Sequence, residues 1–499
     1  MYGFVDTVPG SGTGSTSLMS IRTIFNGIDL DQELTDETGS FTTLTVNGRN
    51  NTNSRINSFS VPGMDGAHEE GNTLDAKTIN VRFRIKDKTN EGFRERLNRL
   101  NALLSGSKQV LEFTDEDAIF FATVSSVEMP DEESNDLIGN IFFYCSDPYK
   151  YGPELEATFP SDAVTVTNNG TAPAKPIFEL DVNEPTTFAM VSNGEEYLMI
   201  GRAVNIEEDE PFNKYELVYS TDGSSTTGWT SGSAVDGGVV AGTMGTTGTR
   251  FEASSYGTGT RWHGPAIKQS LPEVLTDFRM NAFISMFHNP PEQVGRIEIY
   301  LLDVNDNVVA KVAMKDIESY QTLAWGTARV GSDGEGHLLI DEYGDRPGNW
   351  NNFRGLLRLE REGNRWEAYF AMVDSTTGQH HTRKLVQWID TENKYNRNVA
   401  QVQVHMAQFG NKPPITGGVN FINIFKINQE PEGVPYIAEN GDIITLDHQT
   451  NSILVNGEVR KDLISMGSRF FKLKPGTNDI SVMPENTFNT RIRYREPFK

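Results

Sequence analysis

Apolar and polar residues alternate with a period of two along most of this chain, and the clearest departure from that rhythm comes early. "TINVRFRI" (Thr78–Ile85) sets Ile79, Val81, Phe83 and Ile85 on one side and polar residues on the other, which predicts a half-buried strand. "TNEGFRERLNRLNALL" then shifts to a helical period. Phe93, Leu97, Leu100 and Leu104 share one face, Arg and Asn take the other, and Thr89 stands where an N-cap belongs. "QVLEFTDEDAIFFATVSSVEM" predicts a hairpin turning at Asp115–Asp117. "LIGNIFFYC" predicts a closing strand stopped by "SDPYKYG", because Pro148 has no N–H to give a central strand.

Past residue 150 the period of two takes over. "ATFPSDAVTVTNNGTAPAKPIFELDV" predicts short strands around an Asn-Asn-Gly turn, and "TTFAMVSNGEEYLMIG" predicts a hairpin. "DFRMNAFISMF" sets Phe278, Met280, Ala282, Ile284 and Met286 on one face. Hairpins are expected about Asp303–Asn307 and Glu362–Asn364, and "QVQVHMAQF" alternates Val402, Val404 and Met406 with Gln and His. Towards the end, "GDIITLDHQTNSILVNG" predicts a hairpin turning at Asp447–Asn451, and "FFKLKPGTNDISV" a second bent at Pro475-Gly476. "TRIRYREPF" predicts a strand running into an exposed tail.

These elements fall into three units. Residues 1–150 predict an α+β unit behind a Gly/Ser/Thr-rich start (1–20) that is mobile or ordered only by a partner. Residues 206–430 hold all six Trp of the chain and about ten predicted strands, which suggests a jelly-roll β-sandwich. Residues 431–499 are too short for a core of their own. They are expected to complete the strands of 151–205, with 206–430 inserted between. The expected fold is therefore mainly β, an α+β unit followed by a β-sandwich split by an inserted one.

Composition narrows the chemistry. The chain has 499 residues and a formal net charge of −24, which disfavours electrostatic binding to nucleic acid but suits a wall along which nucleic acid slides. No apolar run approaches the ~20 residues of a membrane helix, and Met1–Met19 lacks the basic and apolar segments of a secretory signal. A single cysteine excludes a disulfide framework and a cysteine-rich metal site. Cys145 has only His68 as a histidine in the first 250 residues, so it reads as a small buried residue ending a strand.

The pair "TINVRFRIKDKTNEGFRERLNRLNALL", the border "FFYCSDPYKYG", and the late "GDIITLDHQTNSILVNGEVRKDLISMGSRFFKLKPGTNDISV" together resemble the distal tail proteins of long-tailed, non-contractile bacteriophages. The resemblance covers about 1–205 and 431–499. Ser146 stands where the family often has Pro. The resemblance implies a virion protein at the distal end of the tail. It implies a homohexameric ring built by the N-terminal unit, with a galectin-like sandwich outside it. The ring would join the tail tube protein and tape measure to the baseplate hub, the tail-associated protein and the receptor-binding protein, with DNA passing through an acidic lumen. The longer, "evolved" members carry an inserted carbohydrate-binding module for host cell-wall glycan, and 206–430 sits where that module would.

Within that insert, the loop "DEYGDRPGNWNNFRG" (Asp341–Gly355) is the best candidate for carbohydrate recognition. Tyr343 and Trp350 offer faces for sugar C–H groups, and Asp345, Asn352 and Arg354 offer partners for hydroxyls, although Trp350 also suits a core plug. Trp366 alternates with Ala368 and Phe370 as a core residue would. Trp262 suits a rim or a core position equally. "DVNDN" (Asp303–Asn307) offers oxygen ligands for Ca²⁺ or a plain turn. His380–His381 lacks a third ligand, and "GSGTGS" (Gly10–Ser15) lacks the Lys-Ser/Thr of a phosphate loop. No pair of carboxylates stands out as a glycosidase couple, so neither catalytic residue, metal nor cofactor is expected. The alternative is an insert that degrades polysaccharide.

Overall fold

The computed structural model describes residues 21–50, 53–205, 209–288, 290–430 and 432–499. The Gly/Ser/Thr-rich start, including Gly10–Ser15, lies outside the described residues.

The first unit forms as the periodicity predicts. Strand Lys77–Asp87 buries Ile79, Val81, Phe83 and Ile85, and pairs with Gly39–Asn47 on one edge and Asp136–Cys145 on the other. Helix Asn90–Leu103 begins at Thr89, whose hydroxyl accepts from the Gly92 N–H at 3.1 Å. Phe93 and Leu100 face the core, but so does Arg96, which the helical pattern had assigned to the polar face. The reason is a partner: Asp87, itself buried, accepts from the Arg96 guanidinium at 2.7 Å. Cys145 ends its strand fully buried, and burial pushes its thiol up to about 11. A thiol so placed is a packing residue.

The second core gathers residues from both sides of the tryptophan-bearing stretch. Strand Ile177–Val182 lies between Phe488–Phe498 and Ile443–Asp447, and Gly476–Met483 lies between Ala163–Asn168 and Phe188–Ser192. Two expectations are corrected here. The segment before Pro475 is not a second hairpin strand: only Leu473 makes a bridge, to Ala174. The "TRIRYREPF" strand forms with Ile492 and Tyr494 in the core, but it does not run out into an exposed tail: it pairs with Lys150–Thr158 as far as Phe498. Its outward Arg491 and Arg493 pair with Glu179. Strand Lys150–Thr158 joins this sheet to the first unit, pairing with Phe488–Phe498 and, at Tyr151, with Ile119.

The middle stretch is a sandwich of two large sheets around the largest apolar cluster. One sheet contains Phe278–Phe287, Arg354–Glu362, Arg365–Val373, His380–Ile389 and Thr416–Ile427. The facing sheet contains Ala266–Leu275, Gly295–Leu302, Val308–Asp316, Trp325–Val330, His337–Glu342 and Val399–Phe409. Phe278, Met280, Ala282, Ile284 and Met286 line the interior, opposite Val402, Val404 and Met406. The architecture is thus mainly β, with the α+β unit first and a sandwich interrupted by a jelly-roll sandwich.

Candidate functional site

The loop that carries the sequence candidates runs from strand His337–Glu342 in one sheet to Arg354–Glu362 in the other, so its residues are dealt to different places. Trp350 is fully buried against Phe353 and Phe370, and its indole N–H donates to the Thr382 carbonyl at 2.9 Å. Trp350 therefore plugs the end of the sandwich and offers no face to a sugar, which corrects the stacking role considered for it. Asn352 turns inward: its amide oxygen accepts from the His288 N–H at 3.2 Å. Its φ of 53° is one that asparagine tolerates well. Arg354 lies over the Phe283 ring at 5.0 Å, on the opposite sheet from Tyr343. The five candidates do not converge on one surface.

Tyr343 and Asp345 do share a surface, with a partner the sequence reading missed. Trp325 stands edge-to-face with Tyr343 at 5.1 Å, and its indole N–H donates to Asp341 at 2.8 Å. Asp341 also accepts from the Thr327 hydroxyl at 3.0 Å and pairs with Lys315 at 3.4 Å. Burial pushes the Asp341 carboxyl up, but the bonds from Trp325 and Thr327 and the Lys315 charge outweigh it and hold the group below its ordinary value. Lys384, at 2.8 Å from Glu342, also feels Asp345. The result is a half-exposed pair of rings rimmed by carboxylates and ammonium groups. Such a surface stacks on sugar C–H groups and bonds to hydroxyls. The signal for Trp325 was present in the strand alternation "WGTARV", where Gly326 and Ala328 face in and Trp325 and Thr327 face out.

The other candidates resolve cleanly. Trp366 is in the core. Trp262 is a rim residue: Arg296 stacks over it at 4.0 Å, Phe409 meets it edge-on at 5.1 Å, and together they line a groove of about 300 Å³. In the Asp303 turn the carboxylate accepts from the Asn305 and Asn307 N–H groups and from the Asn307 amide, so its oxygens serve the turn. His380 receives or gives a bond at 3.0 Å with the Tyr369 hydroxyl, and His381 is exposed.

The second sheet hides a polar cluster on its outer face, where the alternation sets Gln and His. Glu298, His405, Tyr300 and Gln403 are buried, because residues 231–236 lie over them. Asp236 reaches Lys311 at 2.6 Å and Arg329 at 2.8 Å, and Ser233 donates to Gln403. Burial pushes Glu298 up, yet Lys311 at 3.1 Å and His405 at 2.8 Å overcome it and hold the carboxylate well below the usual range.

Comparison with known proteins places the flanks first in a class. Residues 28–143 match the phage tail protein RIFT-related domain, and residues 415–498 match the siphovirus-type tail component, C-terminal domain. The second match begins just before strand Thr416–Ile427, which pairs only within the middle sandwich. More particularly, the chain is 29% identical to the distal tail protein of Bacillus phage SPP1 over 148 residues, which is 29% of this chain and 57% of that protein. The solved SPP1 distal tail protein, described as a hub of the adsorption apparatus, is 23% identical over 37% of this chain and 76% of its own, with a TM-score of 0.32. The CBM2 module of the evolved distal tail protein of Lactobacillus casei BL23 phage J-1 is 17% identical over 44% of this chain and 98% of its own, with a TM-score of 0.37. A carbohydrate-binding module of Bacillus subtilis is 16% identical over 38% and 94%, at 0.22. The resemblance of the flanks to distal tail proteins, read from the sequence, is borne out.

Proposed function

We propose that this chain is the structural hub of a phage tail tip: a homohexameric ring whose inserted sandwich holds host cell-wall saccharide. The division into 1–150, 151–205 with 431–499, and 206–430 is part of this reading. Three separate apolar clusters support it, the second drawing on both flanks. The observation that carries self-assembly is the hairpin Ser54–Phe59/His68–Leu74. Among the described residues it pairs only with itself and contributes no residue to any core, and it exposes Ile56 at 60% and Phe59 at 48%. A lone two-stranded hairpin is marginal in water, so it fits an arm that docks on a neighbouring copy. A head-to-tail contact that closes at six gives a ring. Such a ring would join the tube and tape measure to the baseplate hub and receptor-binding protein, and its acidic character would let DNA pass without adhering.

The saccharide role rests on Tyr343, Trp325 and Asp345. Asn352 and Arg354 support the loop from its other side. Catalysis is disfavoured by the state of the buried carboxylate Glu298: a glycosidase acid needs a raised pKa and an open cleft. Glu298 has neither, being held ionised beneath residues 231–236. Electron microscopy of the purified full-length protein is expected to show six-membered annuli with peripheral lobes, and solitary monomers would overturn the ring. Retention on host cell-wall fragments is expected to fall at least tenfold in Trp325→Ala and Tyr343→Ala. Release of soluble sugar from those fragments would overturn the non-catalytic reading.

A further inference from the structure

A recess lined mostly by charged side chains lies where the inserted sandwich meets the scaffold. The outer faces of strands Arg354–Glu362, Arg365–Val373 and His380–Ile389 form its floor, and the turn from Glu458 to Asp462 forms one wall. Its volume is about 560 Å³. The wall is fixed in place. Arg358, buried, grips Glu458 with both terminal nitrogens, at 2.9 and 2.6 Å, and the His380 N–H donates to the Gly457 carbonyl at 3.0 Å. A Cβ on Gly457 would run into the Gly378 carbonyl, so the turn sits as close as backbone allows.

The charges within the recess do not cancel. Each carboxylate is already taken: Glu360 by Arg279, Glu367 by Arg365, Glu458 by Arg358, and Asp462 by Arg460. Arg383 lines the same recess, where it is hydrogen-bonded to the neutral Tyr369 side chain and forms no ion pair with a carboxylate among the described residues. Beside it stand the Tyr369 ring, over which Arg358 lies at 5.1 Å, and the exposed Leu385. At the far side the Tyr215 ring carries Arg279 stacked at 3.6 Å. An uncompensated guanidinium among aromatic rings and neutralised ion pairs, in a protein of net charge −24, is a local reversal of sign. It selects one negative group and leaves amide and ring surface, including Gln387, for an attached polyol.

We infer that this recess between insert and scaffold binds a saccharide carrying a phosphate or carboxylate, with Arg383 holding the anionic group. The inference rests on the saccharide-binding reading above but places a second locus away from Tyr343 and Trp325. It also means that the site is complete only when the insert is seated on the scaffold, because Glu458 to Asp462 belong to the second flank.

The test uses the full-length protein and saturation-transfer NMR with titration calorimetry. The probes are glucose 6-phosphate, glucuronate, glucose and inorganic phosphate. The two charged sugars are expected to bind at least tenfold more tightly than glucose, and their relative affinities tell a phosphate from a carboxylate ligand. Raising the salt should weaken both. Arg383→Glu, at an exposed position, is expected to abolish the salt-sensitive preference for charged sugars, and Arg383→Lys to retain part of it. Equal binding of glucose, unchanged binding in Arg383→Glu, or phosphate bound as tightly as its sugar ester would each overturn the inference. Wall retention separates the two readings: loss in Trp325→Ala with wild-type retention in Arg383→Glu sinks this site alone, and no retention by the wild type sinks the saccharide role itself.

Discussion

Trp350 and Trp325 carry the same indole, yet one is a structural plug and the other a surface ring, and the difference is which partner each N–H finds. Trp350 donates to a backbone carbonyl inside the sandwich, whereas Trp325 donates to a half-exposed carboxylate. Trp350→Ala should therefore cost about 3–5 kcal/mol of stability, read by urea unfolding, while Trp325→Ala should cost under about 1 kcal/mol and act on wall binding instead. His448 makes a second prediction at this scale. It is buried among Phe178, Phe470 and Phe471, and desolvation lowers its pKa from 6.5 to about 4. A base whose folded pKa is depressed binds fewer protons folded than unfolded. Its contribution is whole above pH 6.5 and is lost as pH falls towards 4, at about 1.4 kcal/mol per unit and about 3 kcal/mol in all. His448→Leu should remove that slope from the stability of the scaffold core between pH 6.5 and 4, measured by denaturant titration at each pH.

At the scale of elements, alternation located Phe278–Phe287, Val399–Phe409 and the two hairpins about Asp303–Asn307 and Glu362–Asn364, because one face of each is pressed on a core. It failed where the second face is also covered. In Val399–Phe409 both Val404 and His405 are buried, since residues 231–236 close over the polar side. No local pattern announces that cover. The covered cluster depends on balanced charge, so Lys311→Met should destabilise the insert by about 3–5 kcal/mol by leaving the buried Glu298 without its lysine, with Glu298→Gln in the same chain recovering most of it. Unfolding followed by tryptophan fluorescence reads the insert selectively, as all six Trp lie within 206–430. The five candidates of the loop Asp341–Gly355 part company for a related reason. Its composition was right for sugar, but a loop that bridges two sheets sends consecutive side chains to opposite surfaces.

For the molecule as a whole, the pairing of Ile177–Val182 with strands from beyond residue 440 makes the insert a passenger between two halves of one sandwich. Removing residues 206–430 with a short spacer should leave a folded chain that still forms six-membered annuli, seen by electron microscopy. A shortened chain that stays solitary would separate assembly from the flanks. Six copies should also multiply weak saccharide contacts, so assembled rings are expected to bind walls roughly 10²–10⁴-fold better than the isolated insert, given compatible geometry. The sequence alone determined the mainly β class, the early α+β unit and the split sandwich, which follow from residue spacing along the chain and from short runs whose burial is decided locally; its motifs carried the resemblance of the flanks. Tertiary structure alone decided which polar residues are buried, which indole meets solvent, and that Arg383 shares a recess with Glu458. Those facts depend on contacts between segments far apart in the chain, and no spacing encodes them.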